Sequence, residues 1–346
     1  EECLVVQPAD GRGRRRIVKG DLGRTLELAV APAGADRVAL TNHRQELLLV
    51  DLKARTVEVV DKSPAERLDG IAWSADGRYL AYAYAPNEVQ SHIKVLDTTS
   101  GRKREITRPE FRDGRPAFDP EGRYLYFISA RVFDPVYDGL YFDLGFPRGS
   151  RPYLVPLRRD TVSPFAASTR EPRGPAGAAS DDAGKPDEKK KVKKVTIHFD
   201  GIEDRIVPFP VDEGRYMEIL GAGDRVLFAS EKVSGSLHDT WWDGGEPAAR
   251  LQLQAWSFEK DKTETVYGAV TDFGLSMDGS TLGVRVGNRI RALGATVKSD
   301  GLPKESEGRA SGWVCLLYTS PSPRDQSWYL VCRLLLEKGG GGGGGG

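Results

Sequence analysis

Acyl transfer on a serine needs a base beside the hydroxyl and hydrogen-bond donors for the oxyanion. One stretch supplies the residue types, Ser234-Gly235-Ser236 followed by His238-Asp239. Triad members come from separate elements, so neighbours this close in sequence read as a loop. No G-x-S-x-G elbow occurs. His43, His92 and His198 stand apart and read as strand or turn residues. Gly11-Arg12-Gly13 and Gly221-Ala222-Gly223 lack the third glycine and βαβ setting of a dinucleotide site, so they read as turns. Asp212-Glu213-Gly214 lacks the alternating oxygens of a calcium loop. Cys3, Cys315 and Cys332 have neither zinc spacing nor a disulfide pattern. No catalytic residue, metal ligand or cofactor site is expected.

The elements that would position any site are legible in a repeat. Trp73-Ser74-Ala75-Asp76-Gly77-Arg78-Tyr79-Leu80 aligns with Phe118-Asp119-Pro120-Glu121-Gly122-Arg123-Tyr124-Leu125, about 45 residues further on. In each copy an apolar strand ends in an acidic-glycine turn and an aromatic strand follows. Fainter copies turn at Gly34, Gly223 and Gly279. Alternating residues predict third strands at Glu46–Leu52 and Ile93–Asp97, and fourth strands at Thr56–Val60 and Lys103–Thr107. The fold class is all-β, a β-propeller of four-stranded blades. Five to six blades are expected.

Lysine plus arginine and aspartate plus glutamate number 50 each, so no overall field favours nucleic acid or an anionic membrane. Arg12 and Arg14 to Arg16 form only a local basic cluster. Mean hydropathy is −0.43, and no apolar run approaches the roughly 18 residues of a membrane span. The chain opens inside strand-like sequence without an initiator methionine, so its natural start is expected upstream. The propeller is expected over 1–314. Residues 166–194, rich in Ala, Gly, Pro and Lys and devoid of aromatics, read as a disordered insertion within it, and strand-like sequence resumes at Val195-Thr196-Ile197-His198-Phe199. The Trp241-Trp242 pair reads as a cap on the axial opening or as loop packing. Residues 315–346 read as a non-native tail: Cys315 to Asp325 resembles a translated sequencing adapter, and Gly339 to Gly346 translated poly-G.

Several loops are more specific than the blade motif. Phe111-Arg112-Asp113-Gly114-Arg115-Pro116, Arg131-Val132-Phe133-Asp134-Pro135-Val136-Tyr137-Asp138 and Phe146-Pro147-Arg148-Gly149-Ser150-Arg151-Pro152-Tyr153-Leu154 are three. Asp200-Gly201-Ile202-Glu203-Asp204-Arg205 and His238-Asp239-Thr240-Trp241-Trp242-Asp243 are two more. Together they resemble tricorn-type serine proteases, in the propeller that precedes the PDZ and catalytic domains. The resemblance runs from Glu1 to Val314. It implies that the blades are part of a seven-bladed propeller, a non-catalytic channel and filter for peptide substrates, with the catalytic groups in remaining domains of a cytoplasmic, homo-oligomeric parent. A stand-alone, periplasmic protein-docking propeller is the alternative, because generic blade repeats occur in both.

Innermost strands line a propeller's axis. The polar residues entering them are Asp69 before Ile71, then Arg112, Asp113 and Arg115 before Phe118, and Asp272 before Phe273. These five are expected to ring the channel and screen peptides by charge and width. The alternative role is to cap strand ends and pair with one another.

Overall fold

The computed structural model describes residues 3–7, 14–32, 34–165, 194–234, 248–297 and 312–315. Short strands separated by glycine turns generate nearly all of its regular structure; among the described residues only a 3-10 turn at Glu203–Arg205 is helical. No helix among them is long and apolar enough to cross a membrane. Strands β1(Cys3–Val6) and β2(Arg16–Lys19) form a two-stranded sheet. The first four-stranded blade is β3(Thr25–Val30), β4(Arg37–Asn42), β5(Glu46–Asp51) and β6(Thr56–Lys62). The second is β7(Asp69–Trp73), β8(Tyr79–Tyr84), β9(His92–Asp97) and β10(Arg102–Glu105).

The third blade, β11(Arg112–Phe118), β12(Tyr124–Ala130), β15(Arg151–Pro156) and β16(Val207–Pro208), carries a hairpin, β13(Val136–Asp138) with β14(Asp143–Gly145), between its second and third strands. The fourth is β17(Arg215–Ala222), β18(Arg225–Glu231), β19(Leu251–Ser257) and β20(Lys262–Val270). The fifth is β21(Asp272–Leu275), β22(Thr281–Val286), β23(Arg289–Gly294) and β24(Val314–Cys315). All ladders are antiparallel. The expected all-β propeller of four-stranded blades is what forms, and the predicted third and fourth strands lie where expected in the first two blades. Cys315 pairs with Arg289, so the fifth blade's ladder reaches one residue past the expected boundary.

The turn motif works by the same hydrogen bonds in different blades. In the second blade Gly77 N donates to Ser74 O at 2.8 Å, and Tyr79 N to Ser74 Oγ at 2.9 Å. In the fifth, Gly279 N donates to Ser276 O at 2.8 Å and Thr281 N to Ser276 Oγ at 2.9 Å. Asp119 replaces the serine in the third blade, accepting from Gly122 N on its carbonyl and from Arg123 N on its carboxylate. The glycine must reach positive φ, 68° at Gly77 and 70° at Gly122, where a Cβ is strained. The faintest repeat differs in kind: Gly223-Asp224 is a two-residue hairpin turn joining Ala222 to Arg225.

One expectation needs correction. Residues 195–199 lie in no strand. Val195 N instead donates to Asp76 Oδ2 at 2.8 Å, and further on His198 N donates to Leu157 O and Phe199 O accepts from Ile202 N. Val195 and Ile197 are buried all the same, so alternation reports burial here without a ladder. The 166–194 insertion falls, but for Lys194, outside the described residues, as do Ser236, His238, Asp239, Trp241 and Trp242 and the tail beyond Cys315.

The core lies in wedges between blades. Leu47, Leu68, Leu80 and Tyr82 fill the first-to-second interface, and Val95, Phe118, Leu125 and Phe127 the next. Tyr126, Phe209, Phe228 and Trp256 fill the third-to-fourth, and Leu227, Val266, Phe273 and Leu282 the last. The β1–β2 sheet joins the series, Val18 meeting Val38 and Leu48 of the first blade.

A Cβ on Gly122 would stand 2.8 Å from Val195 Cγ2, whereas none would be met at Gly279. Gly279→Ala should therefore cost about 1–2 kcal/mol from left-handed strain alone. Gly122→Ala should cost at least about 1 kcal/mol more, from the added overlap. Urea denaturation of the two variants checks the order, and equal losses would contradict the contact.

Candidate functional site

The first strands β3, β7, β11, β17 and β21 meet their counterparts in neighbouring blades, which places them at the axis. In four of them the ladder slips where a charged side chain sits: between Thr25 and Glu27, Asp69 and Ala72, Gly114 and Ala117, and Tyr216 and Glu218. A bulge re-aims the side chain beside it. The result is a row of charges, one per blade: Glu27, Asp69, Arg115, Glu218 and Asp272.

These charges are linked from blade to blade. Glu27 accepts from Gly70 N at 2.9 Å and Ile71 N at 3.0 Å, fastening the first blade to the second. Arg115 bridges Asp69 at 3.3 Å and Glu218 at 3.6 Å, spanning the second to fourth blades. Arg115 itself holds φ 52°, the left-handed region that a long side chain occupies at a cost. Gly70 makes room for it: a Cβ there would fall 2.9 Å from Arg115 Cα. Only glycine lets β7 and β11 approach this closely.

The electrostatics are strained. Burial pushes the Glu27 carboxyl up to about 7, and the Asp69 carboxylate adds to the effect against the two backbone donors and Arg115. Burial likewise raises Glu218 to about 7; Arg115 opposes this, and Glu27, Asp69 and Asp272 reinforce it. Asp272 is raised by burial too, with Phe273 N and Arg285 resisting. Burial works against the Arg115 charge, but Glu218, Asp69 and Glu27 outweigh it and raise its pKa. Three carboxyls, Glu27, Asp69 and Glu218, thus share the Arg115 guanidinium, and Asp272 has Arg285 beside it.

The five expected channel residues separate by environment. Asp69, Arg112, Asp113 and Arg115 all border one cleft of about 240 Å³, with Glu66, Ser91 and Gly114 among its other walls. Asp69, Arg115 and Asp272 belong to the axial row. Arg112 sits further out, paired with the exposed Glu66 through both carboxylate oxygens at 2.8 and 2.9 Å. Asp113 is fully buried and binds Arg131 Nη2 at 2.8 Å and the Ser129 hydroxyl. The Arg131 guanidinium also lies over the rings of Phe111, Phe127 and Tyr153, at 4.9–5.4 Å. That cage anchors the root of the hairpin excursion. Glu27 and Glu218 were not among the expected residues. Their signal was present: each is a carboxylate in mid-strand between apolar residues, Leu26-Glu27-Leu28 and Met217-Glu218-Ile219. Among the described residues no group of three or more His, Cys, Asp or Glu is arranged to hold a metal ion.

Comparison with known proteins follows the same lines. Residues 1–296 match the family model for the second β-propeller domain of tricorn protease. The chain is 34% identical over 305 residues to tricorn protease homolog 1 of Streptomyces coelicolor, covering 87% of this chain and 28% of that protein. It is 31% identical over 338 residues to the tricorn protease homolog of Saccharolobus solfataricus, covering 96% of this chain and 28% of that one. The crystal structure of the tricorn protease superposes with a TM-score of 0.66 at 23% identity, over 88% of this chain and 28% of that chain. The chain thus spans under a third of the length of these relatives.

Two outcomes are expected. Asp113→Ala strands a buried guanidinium and should cost about 3–5 kcal/mol, whereas Arg112→Ala, at an exposed pair, should cost under about 1 kcal/mol. Chemical denaturation measures both, and comparable losses would undo the distinction. The second outcome concerns pH. Glu27 and Glu218 hold protons more tightly folded than unfolded, so the protein should lose stability as pH rises from about 4.5 to 7. Glu218→Gln should flatten that slope by on the order of 1 kcal/mol after allowing for solvent at a side chain 34% exposed. Thermal melts across the range decide it, and parallel profiles for variant and parent would refute the assignment.

Proposed function

The chain belongs to the tricorn protease family, matching its second β-propeller domain, and on that premise we propose that it is a non-catalytic channel that passes and screens peptides for a protease centre elsewhere in the parent polypeptide. The observation that carries this reading is the axial row of charge, one residue from the innermost strand of each of five successive blades. Charges of one sign gathered in a partly shielded cleft act more strongly on a ligand than the same charges spread over open surface. A row of four carboxyls and one guanidinium favours cationic peptide segments over anionic ones. With Glu27 and Glu218 poised near 7, that preference strengthens as the pH rises through neutrality.

Width is set by the same residues. Arg115 closes across Asp69 and Glu218, so a passing chain must displace or replace those ion pairs. An incoming lysine or arginine can do so by taking the place of Arg115 against a carboxylate. On this reading the partners are peptide substrates, the remaining domains of the parent and further copies in a homo-oligomer, in a cytoplasmic setting. Asp113 acts below the channel surface, holding β11 in place, and Arg112 stands at its rim.

The test belongs in the full-length parent. Arg115→Glu should shift cleavage towards cationic peptides of matched length by about tenfold, equivalent to about 1.4 kcal/mol, and Arg112→Glu should do so more weakly. Hydrolysis of a dipeptide-sized reporter should stay unchanged in both. An unaltered preference between peptides of opposite charge would leave these arginines a structural role alone.

A further inference from the structure

Large side chains fill the mouth of the first-to-second wedge. On the second blade Tyr82 lies opposite Lys94, and Tyr84 opposite His92. The Tyr84 ring meets His92 edge-on at 5.4 Å and carries the Lys94 ammonium at 3.1 Å from its centre. The fourth blade has the same register with different residues. Phe228 lies opposite Gln254 as Tyr82 does opposite Lys94, and Ser230 stands where the second blade has Tyr84. A hydroxymethyl group thus replaces a phenol at the mouth of the third-to-fourth wedge. Ser230, Gln254 and Phe228 line a cavity there of about 680 Å³, well inside the roughly 300–1,000 Å³ of small-ligand sites. Tyr216 completes that side, its ring 5.5 Å from Phe228. It stands two residues before Glu218, so strand β17 borders both this cavity and the axial row.

The lining selects an occupant. Ser230, Gln254 and Thr263, one from each of β18, β19 and β20, bring side-chain hydrogen-bonding groups that bond to no described residue. Each can both donate and accept, which suits the amides of an extended chain crossing the strands. Tyr216 and Phe228 offer ring surface to an apolar side chain. Among the charged groups, Glu213 is held by Arg151 at 2.8 Å and Glu231 by Arg215 at 3.2 Å. Arg148, on the stretch returning from the β13–β14 hairpin, and Lys232 have no ion pair, against one unpaired acid, Asp212. Two free cations against one free carboxylate leave a surplus of positive charge, opposite in sign to the axial row, and such a surplus favours an anionic ligand.

We propose that this cavity is an off-axis docking site for an extended peptide segment in which an acidic residue neighbours an apolar one. The acidic side chain pairs with Arg148 and Lys232, the apolar one lies on Tyr216 and Phe228, and main-chain amides bond to Ser230, Gln254 and Thr263. The choice of a peptide rests on the reading of the chain as a peptide passage; the position and the acidic preference come from the cavity itself.

Calorimetric titration of the full chain with end-blocked peptides tests this. Acetyl-Gly-Leu-Glu-Gly-amide should bind with a Kd below about 1 mM, and its glutamine and lysine counterparts at least about tenfold more weakly. Arg148→Ala with Lys232→Ala should abolish that preference, and since both side chains are exposed the Tm should stay that of the wild type. Ser230→Tyr places the second blade's residue in the mouth and should weaken the acidic peptide at least about tenfold. A Kd above about 1 mM for the acidic peptide, equal affinity for all three, or a preference that survives loss of Arg148 and Lys232 overturns the proposal. Binding is read on the chain itself, apart from the cleavage preference that tests the axial row. Failure here with the Arg115→Glu shift present overturns this site alone, and the reverse outcome overturns the passage alone.

Discussion

Each blade is a four-stranded sheet with two faces to bury and only its neighbours to bury them against. That constraint organises the whole molecule. Apolar side chains from facing sheets fill four wedges between the five blades, and a further wedge is shared with the β1–β2 sheet. A sheet of this size cannot bury both faces alone. Stability is therefore a property of adjacent pairs, and the second strand is the most buried part of each blade.

Polar groups on the innermost strands, which are only partly buried, are treated very differently from one another. Asp113 is removed from water altogether and fully compensated, by Ser129, Arg131 and the aromatic rings around that guanidinium. The pair fixes the start of the excursion that carries the hairpin. Arg115, one turn of the pleat away, is left half-buried among more carboxyls than it can neutralise. A buried pair that is satisfied specifies structure, and one that is under-compensated leaves carboxyls whose charge depends on pH. The two acid–base clusters share strand β11 and divide these roles.

The same contrast separates the hairpin from the blades. Blade turns are held by repeated serine or aspartate bonds to the backbone, with glycine where φ must be positive. The hairpin tip has phenylalanine at such a position and aspartates in opposition. Within one protein, local consistency marks the elements that carry the fold, and local conflict is gathered at the axial row and the exposed hairpin.

The repeat was legible because turn chemistry is local. Ser74, Gly77 and the Oδ1 of Asp76 make their bonds within six residues, so the same letters recur wherever the same turn does, and the blades follow. Asp69, Arg115 and Asp272 could be placed at inner strands because they precede apolar strands in that repeat. What the sequence could not reveal lies across blades. Glu27 is held by the backbone of Gly70 and Ile71, over 40 residues away, and Glu218 by Arg115, so neither pairing leaves a local signature. Asp113 stands two residues from Arg115 and looks equivalent to it in sequence. Only the tertiary structure decides that one is sealed beneath the surface and the other faces the axis, because strand β11 slips register between Gly114 and Ala117 and turns Arg115 out of the ladder. Residues 195–199 show the reverse case, alternating as a strand does while their first amide is taken by an aspartate of the neighbouring blade. Period-two burial is written in the chain; which partner satisfies the backbone is settled only when the blades close on one another.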